Sequence, residues 1–238
     1  MRPVIWPGSH SFAKGYAKTL LLQSMRLETI EKERVFYFKE LAMNRFCKSA
    51  LLCLGAAVLA GSALAQSVTV ADVPYEQVTA LHGSALLLNG AGVRYKTVFK
   101  VYTAGLYLEK KAHTTAAVTA LNGPKRLVLT MLREIDSREL GKLFARGMEE
   151  NLDKAAFSRL IPGVLRMGQI FSDHKNLQAG DPVMIDWIPG AGTVITVKGK
   201  VQGEPFKEPE FFHALLGIWL GEHPADWKLK EALLGKPV

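Results

Sequence analysis

Cysteine is scarce in this sequence: its 238 residues include two, Cys47 and Cys53. No cysteine follows, so a disulfide bond within the chain from residue 66 onward is excluded. That part must be held together by a hydrophobic core, which a chain of this length can form. The composition, 48% hydrophobic and 22% charged, excludes wholesale disorder, collagen and coiled coil.

The motifs that usually bind metals or nucleotides, or that carry a nucleophilic serine, are also absent. The histidines after residue 65 form no HxxxH pair and no HExxH motif. The segment Asn89-Gly90-Ala91-Gly92 fits neither the dinucleotide fingerprint nor the P-loop, and it is predicted to form a turn or bulge. No GxSxG motif occurs. We therefore expect no metal and no cofactor.

Long apolar runs are missing, but residues 43–65 contain a short one, from Ala50 to Ala60. Arg45 and Lys48 precede it, and the small-residue site Ala63-Leu64-Ala65 follows it. This order is typical of a secretory signal peptide. Because a membrane-spanning helix needs about 20 apolar residues, a retained anchor is the less favoured alternative. We expect a protein exported to the periplasm or secreted, without a stable membrane anchor.

Residues 1–42 lie upstream of this signal, and Met43 is the expected start of translation. A genuine cytoplasmic extension is the alternative, and it would contradict export. The formal charge of +8 suggests a nucleic-acid or anionic-membrane partner. Without residues 1–65, however, 21 basic and 18 acidic side chains are left. The charge then gives little support for either anionic partner, and we expect no nucleic-acid partner.

The remaining chain, residues 66–238, has the pattern of one α+β domain. Two strands, with a possible bulge, are predicted within 81–108, followed by a short helix at 114–121 and a strand at 125–133. A capping box at Asp136 and Glu139 predicts a helix over 137–152, and a second helix over 154–171 is expected to bend or break at Pro162-Gly163. Strands 182–188 and 193–201 should form a hairpin, and helices should follow from Phe211 to Gly221 and over 226–234.

Two segments carry a resemblance to a known family. AGVR at 91–94 followed by VYTAGLYLE at 101–109 resembles paired strands of the chalcone isomerase family. FFHALLGIWLGEHPAD at 211–226 is similar to a helix of its bacterial, exported, chalcone isomerase-like branch. The resemblance extends from about Leu81 to Leu234. It implies an open-faced β-sandwich, in which a large antiparallel sheet is covered by a layer of helices. The family includes flavonoid-forming isomerases and plant relatives that bind fatty acids without catalysis.

The resemblance also assigns roles to two residues. Arg94 matches an arginine that helps hold the substrate oxygen in the plant enzymes, and Tyr102 replaces a threonine with the same role. The other polar groups of those enzymes are replaced by apolar residues or glycine near Val128, Leu140, Gly147 and Phe212. Since ring closure needs donors aimed at the developing enolate, we expect no catalytic residues and lean against an enzyme.

A permanently charged guanidinium beside a phenol suits a carboxylate, so Arg94 and Tyr102 are the predicted ligand-binding residues. The expected partner is a small apolar acid such as a fatty acid. Two alternatives stay open: an isomerase or intramolecular lyase with an unknown, chalcone-like substrate, and a scaffold that binds a partner protein but no ligand. On one straight strand Arg94 and Tyr102 would lie roughly 26 Å apart, so a hairpin must bring them together.

Overall fold

The structure is a computed structural model, and it describes residues 67–237. Its centre is a seven-stranded antiparallel sheet with the strand order β11-β10-β9-β6-β5-β4-β3, and two short two-stranded pairs, β1-β2 and β7-β8, accompany it. The strands are β1 Ser67–Val70, β2 Val73–Glu76, β3 Val78–Leu81, β4 Ser84–Lys96, β5 Phe99–Leu108, β6 Lys125–Met131, β7 Ile135–Asp136, β8 Asn176–Leu177, β9 Pro182–Ile188, β10 Gly192–Val197 and β11 Lys200–Val201.

Helices cover one face of this sheet and enclose the main core with it. They are α1 Thr115–Thr119, α2 Ser137–Glu150, α3 Lys154–Ser172, α4 Pro209–Leu220 and α5 Trp227–Leu233. The side chains of β5 and β6 alternate, so that Leu106 and Leu129 face the helices. Helix α4 is buried on most of its surface, because it lies between the sheet and helices α2 and α3. The expected α+β fold, a large antiparallel sheet under a layer of helices, is confirmed.

The opposite face of the sheet carries a smaller apolar cluster, which the β1-β2 hairpin helps to cover. Tyr75 of β2 is 3% exposed, and its hydroxyl donates a 2.7 Å hydrogen bond to Thr103 Oγ1 on β5. Gly105 makes room for this ring, because a Cβ atom there would lie 2.4 Å from Tyr75 Cε1. The sequence pattern did not predict β1, β2 or β3.

Most of the predicted elements are confirmed, including the bulge in the β4-β5 pair and the Asp136 cap, whose carboxylate accepts a hydrogen bond from Glu139 N. The prediction of a break at Pro162 was wrong, because α3 continues through this residue. The helix packs against α4 at this point: Gly163 lies so close to the Phe211 ring that a Cβ there would be 2.8 Å from it. The strand predicted over 193–201 is divided by a turn at Lys198-Gly199, where both residues have positive φ.

The predicted segments 1–42 and 43–65 lie outside the described residues. Among residues 67–237, no helix is both long enough and apolar enough to cross a membrane.

Candidate functional site

The hairpin of β4 and β5 brings the two predicted ligand-binding residues together. A two-residue connection, Thr97-Val98, joins the strands, and Thr97 has the positive φ of 57° that tight hairpin turns require. Arg94 on β4 then lies directly opposite Tyr102 on β5. Directly opposed residues have Cβ atoms about 5 Å apart and share one face of the sheet. The two side chains are therefore close enough to contact one ligand.

Tyr102 is a buried hydrogen-bond donor in this site. The residue is 4% exposed, and its hydroxyl oxygen accepts a 3.0 Å hydrogen bond from Trp219 Nε1 of α4. Burial raises the pKa of Tyr102 to about 12, although the bond from Trp219 and the charge of Arg94 act in the opposite direction. The phenol thus keeps its proton at neutral pH. No residue of the described chain accepts a hydrogen bond from that O–H group, so a ligand can do so.

Arg94 lies beside an acidic side chain without being hydrogen-bonded to it. Its Nη1 is 3.7 Å from Asp226 Oδ2, which is within ion-pair range but too long for a hydrogen bond. The Asp226 carboxylate accepts instead from the backbone nitrogens of Tyr95, Lys228 and Leu229, at 2.9, 2.9 and 3.2 Å. Between residues 67 and 237, the Arg94 guanidinium makes no hydrogen bond to a carboxylate or backbone oxygen, and it approaches the Tyr102 hydroxyl closely enough to act against the rise in the pKa of that group. Its N–H groups are therefore available to a ligand.

A cavity of about 320 Å³ adjoins these two side chains, between the sheet, α2 and the segment that precedes α5. Most of its walls are apolar, and its polar residues, apart from Arg94 and the Tyr102 hydroxyl, include the exposed pair Arg146 and Glu150. The apolar lining consists of Val101, Ile135, Leu140, Leu143, Phe144, Ile218, Pro224 and Ala225. The cavity therefore combines a cationic hydrogen-bond donor and a phenol with a mostly apolar wall.

The resemblance assigns polar groups of the plant isomerases to four positions that are apolar or glycine in this chain. Two of these positions line the cavity. Leu140 and Gly147 line it, so the wall is apolar there. Val128, by contrast, packs in the cluster on the opposite face of the sheet, because residues of β6 alternate between faces. Phe212 is buried with its ring centroid 5.7 Å from that of Trp187.

Sequence reasoning missed two residues that position this site. Trp219 was interpreted only as a core residue of its helix, yet it holds the Tyr102 hydroxyl. Asp226 ends the GEHPAD segment at 221–226, and as an aspartate at the beginning of a helix it carried the signal of an N-cap. Neither signal reveals a contact with β4 or β5.

A search for metal ligands within residues 67–237 finds no group of three or more His, Cys, Asp or Glu side chains that could hold an ion. His223 lines the cavity, but it stands without such a group.

Comparison with known proteins finds a solved structure of similar fold and a matching family model. A crystal structure of a fatty-acid binding protein from Arabidopsis thaliana matches with a TM-score of 0.56 at 17% identity, over 71% of this chain and 96% of that one. No curated protein matches the sequence. A family model described as chalcone isomerase-like matches residues 67–235, which is most of the chain. The chain therefore belongs to the chalcone isomerase-like family.

Proposed function

We propose that this protein binds a fatty acid or a similar small apolar carboxylate in the cavity beside Arg94 and Tyr102, and does not transform it. The observation that carries the proposal is the cross-strand pair itself, because it sets the Arg94 guanidinium and the Tyr102 hydroxyl side by side in the wall of a mostly apolar cavity. The fatty-acid binding protein with a similar fold adds support.

The head group of such a ligand would accept hydrogen bonds from both side chains. A hydrogen bond to a charged group contributes about 1.5–3 kcal/mol net. Because Tyr102 stays protonated, its O–H adds a second donor without adding charge. The guanidinium distinguishes a carboxylate from an alcohol or an ester, since only the carboxylate compensates its charge.

The apolar tail would supply most of the affinity. At about 30 Å³ for each water-sized group, the cavity holds on the order of ten such groups, which suits a chain of medium length. Burial of each apolar carbon contributes about 0.8 kcal/mol, so the tail of a ten-carbon acid would contribute roughly 7 kcal/mol before the cost of association. We take decanoic acid as the reference ligand.

Binding without turnover fits the composition of the wall. Leu140 and Gly147 offer no proton donor or acceptor where the resemblance places polar groups of the isomerases. Donors aimed at a developing oxyanion contribute several orders of magnitude to such reactions. An assay for flavanone formation from a chalcone is expected to show no turnover, and turnover that is lost in Arg94→Ala would overturn this part of the proposal.

Native mass spectrometry of gently purified protein tests whether the cavity is the binding site. Leu143 lines the cavity and is 51% exposed, so Leu143→Trp should obstruct the cavity without disturbing the core. Leu165→Trp, at a 69% exposed position on α3, is the control. We expect a co-purified acid on the unaltered protein and on the control but not on Leu143→Trp. An empty protein after expression in lipid-rich cells, or equal occupancy of all three, would contradict the proposal.

We also propose that residues 43–65 direct export and are removed. The basic residues, the apolar run and the Ala63-Leu64-Ala65 site support this. Sequencing the N-terminus of the protein from its natural source tests it: a chain that begins at Gln66 is expected, and one that retains residues 43–65 would contradict it.

A further inference from the structure

The tip of the β4-β5 hairpin exposes two apolar side chains. Val98 is 75% exposed and Phe99 is 61% exposed. Every other phenylalanine in the part of the chain that the structure describes is buried or half-buried. Because Val98 and Phe99 are neighbours, they form one exposed apolar patch, and clustered apolar surface marks candidate contacts with another apolar phase.

The hairpin presents these side chains in a fixed way. Lys96 and Phe99 pair across the end of the ladder, so only Thr97 and Val98 lie outside it. A two-residue turn with positive φ at Thr97 follows the twist of the strands and leaves little freedom at the tip. Val98 and Phe99 therefore project from the sheet.

Basic side chains surround the apolar tip. Lys96, Lys100 and Arg133 are exposed, and the Arg133 guanidinium lies 5.5 Å from the centroid of the Phe99 ring. Two carboxylates, Glu134 and Asp226, reduce this charge but do not cancel the three basic groups; Glu134 accepts a hydrogen bond from Asn176 Nδ2, and Asp226 accepts from backbone nitrogens. The tip thus combines apolar side chains with a net positive rim.

The beginning of α5 lies beside the same hairpin. The hydrogen bond from Tyr95 N to Asp226 joins the hairpin to this helix, and the next residue, Trp227, is 61% exposed. The exposed Lys228 follows it, and Lys230 Nζ lies 4.8 Å from the Trp227 ring centroid. Tryptophan and lysine together are typical of residues that sit at the level of lipid head groups.

We propose that this docking surface, defined as Val98, Phe99 and Trp227 with their basic neighbours, binds an anionic lipid bilayer. The apolar side chains enter the head-group region, and Lys96, Lys100 and Arg133 meet the negative charge. Lys96 and Val101 also line the cavity, so docking places the cavity beside the membrane. That role in taking up or releasing a ligand rests on the proposed function, whereas membrane binding itself does not.

Co-sedimentation with vesicles tests the docking surface. We expect the protein to bind vesicles that mix phosphatidylglycerol with phosphatidylcholine, to bind phosphatidylcholine alone more weakly, and to be released by high salt. Phe99→Ser should weaken binding to the anionic vesicles about tenfold, because it removes the aromatic side chain at the hairpin tip. Lys100→Glu should also weaken it, by at least about fivefold.

Leu165→Ser is the matched control, because Leu165 is 69% exposed but lies on α3. It should bind vesicles as the unaltered protein does, and all variants should keep the same thermal unfolding midpoint. Equal binding to both vesicle types, no binding to either, or wild-type binding by Phe99→Ser would overturn the proposal. If the surface binds a protein partner instead of a membrane, no binding to either vesicle type is expected, and the proposal would be wrong.

Decanoic acid binding in detergent-free solution separates the two proposals. Phe99→Ser should retain it, because Phe99 does not line the cavity. Loss of vesicle binding with normal decanoate binding supports docking. Normal vesicle binding without decanoate binding would contradict the proposed ligand and leave the docking surface supported. Loss of decanoate binding by Phe99→Ser would contradict the separation of surface and cavity.

Discussion

Replacement of Asp226 by asparagine should strengthen the binding of an acid while it weakens the fold. Asp226 Oδ2 lies 3.7 Å from Arg94 Nη1, and a carboxylate bound to the same guanidinium would be about 7 Å from Asp226. Two like charges at that distance repel by about 2 kcal/mol at an effective dielectric constant of about 20. Removing one of them should raise the affinity for decanoate up to about thirtyfold, or about threefold where water screens the charges.

The stability of the same variant should change in the opposite direction. An asparagine oxygen can still cap α5 by accepting from Lys228 N and Leu229 N, but its amide nitrogen cannot accept from Tyr95 N. The loss of that bond is expected to lower the free energy of unfolding by about 1 kcal/mol. Titration calorimetry with decanoate and urea denaturation measure the two effects separately.

Asp153→Asn provides the control for Asp226→Asn. Asp153 caps α3 by accepting a 2.8 Å hydrogen bond from Ala156 N, and it does not line the cavity. This variant should leave the affinity for decanoate unchanged. Unchanged or weaker binding by Asp226→Asn, with the control unaffected, would refute the placement of the ligand carboxylate at Arg94.

Two further predictions concern stability. Because burial raises the pKa of Tyr102 from 10 to about 12, its contribution to stability is complete below pH 10 and is lost as pH rises to about 12, at roughly 1.4 kcal/mol per pH unit. In urea denaturation across this pH range, the free energy of unfolding should fall less steeply with pH in Tyr102→Phe than in the unaltered protein, by that amount. An identical slope in the two proteins would contradict a buried phenol. Gly105→Ala should lower the free energy of unfolding by about 1–3 kcal/mol, since its Cβ would lie 2.4 Å from the Tyr75 ring. Gly168→Ala, with no atom within 4 Å, should raise it slightly; if both variants were equally stable, the tight contact at Gly105 would be disproved.

Local signals were sufficient where one segment determines its own structure. The capping residue Asp136 and the apolar spacing after it predicted α2, and glycines with apolar flanks predicted the bulged pair of β4 and β5. At Pro162 the local rule failed, because a proline costs the helix one backbone hydrogen bond but α3 also packs against Phe211, a contact that the local sequence does not reveal. The strands β1 to β3 were missed because exposed valines such as Val68 and Val78 obscure the alternation.

The candidate site could be predicted only in part. Family resemblance selected Arg94 and Tyr102, whereas the turn that pairs them, Thr97-Val98, has no glycine or asparagine to signal it. A threonine adopts positive φ there because the flanking ladder holds the backbone. Asp226 meets Tyr95 across 131 positions of sequence, and no pattern within either segment encodes that contact.

The most direct measurement of the central claim compares decanoic acid with decanol as ligands of the unaltered protein, of Arg94→Gln and of Arg138→Gln, by titration calorimetry. Arg138 is exposed on α2 and does not line the cavity, so it serves as the control. Arg94→Gln should lose about tenfold to a hundredfold in affinity for the acid and change little for the alcohol. If the acid and the alcohol lost affinity equally, or if neither bound the unaltered protein, the account of a carboxylate held by Arg94 would be contradicted.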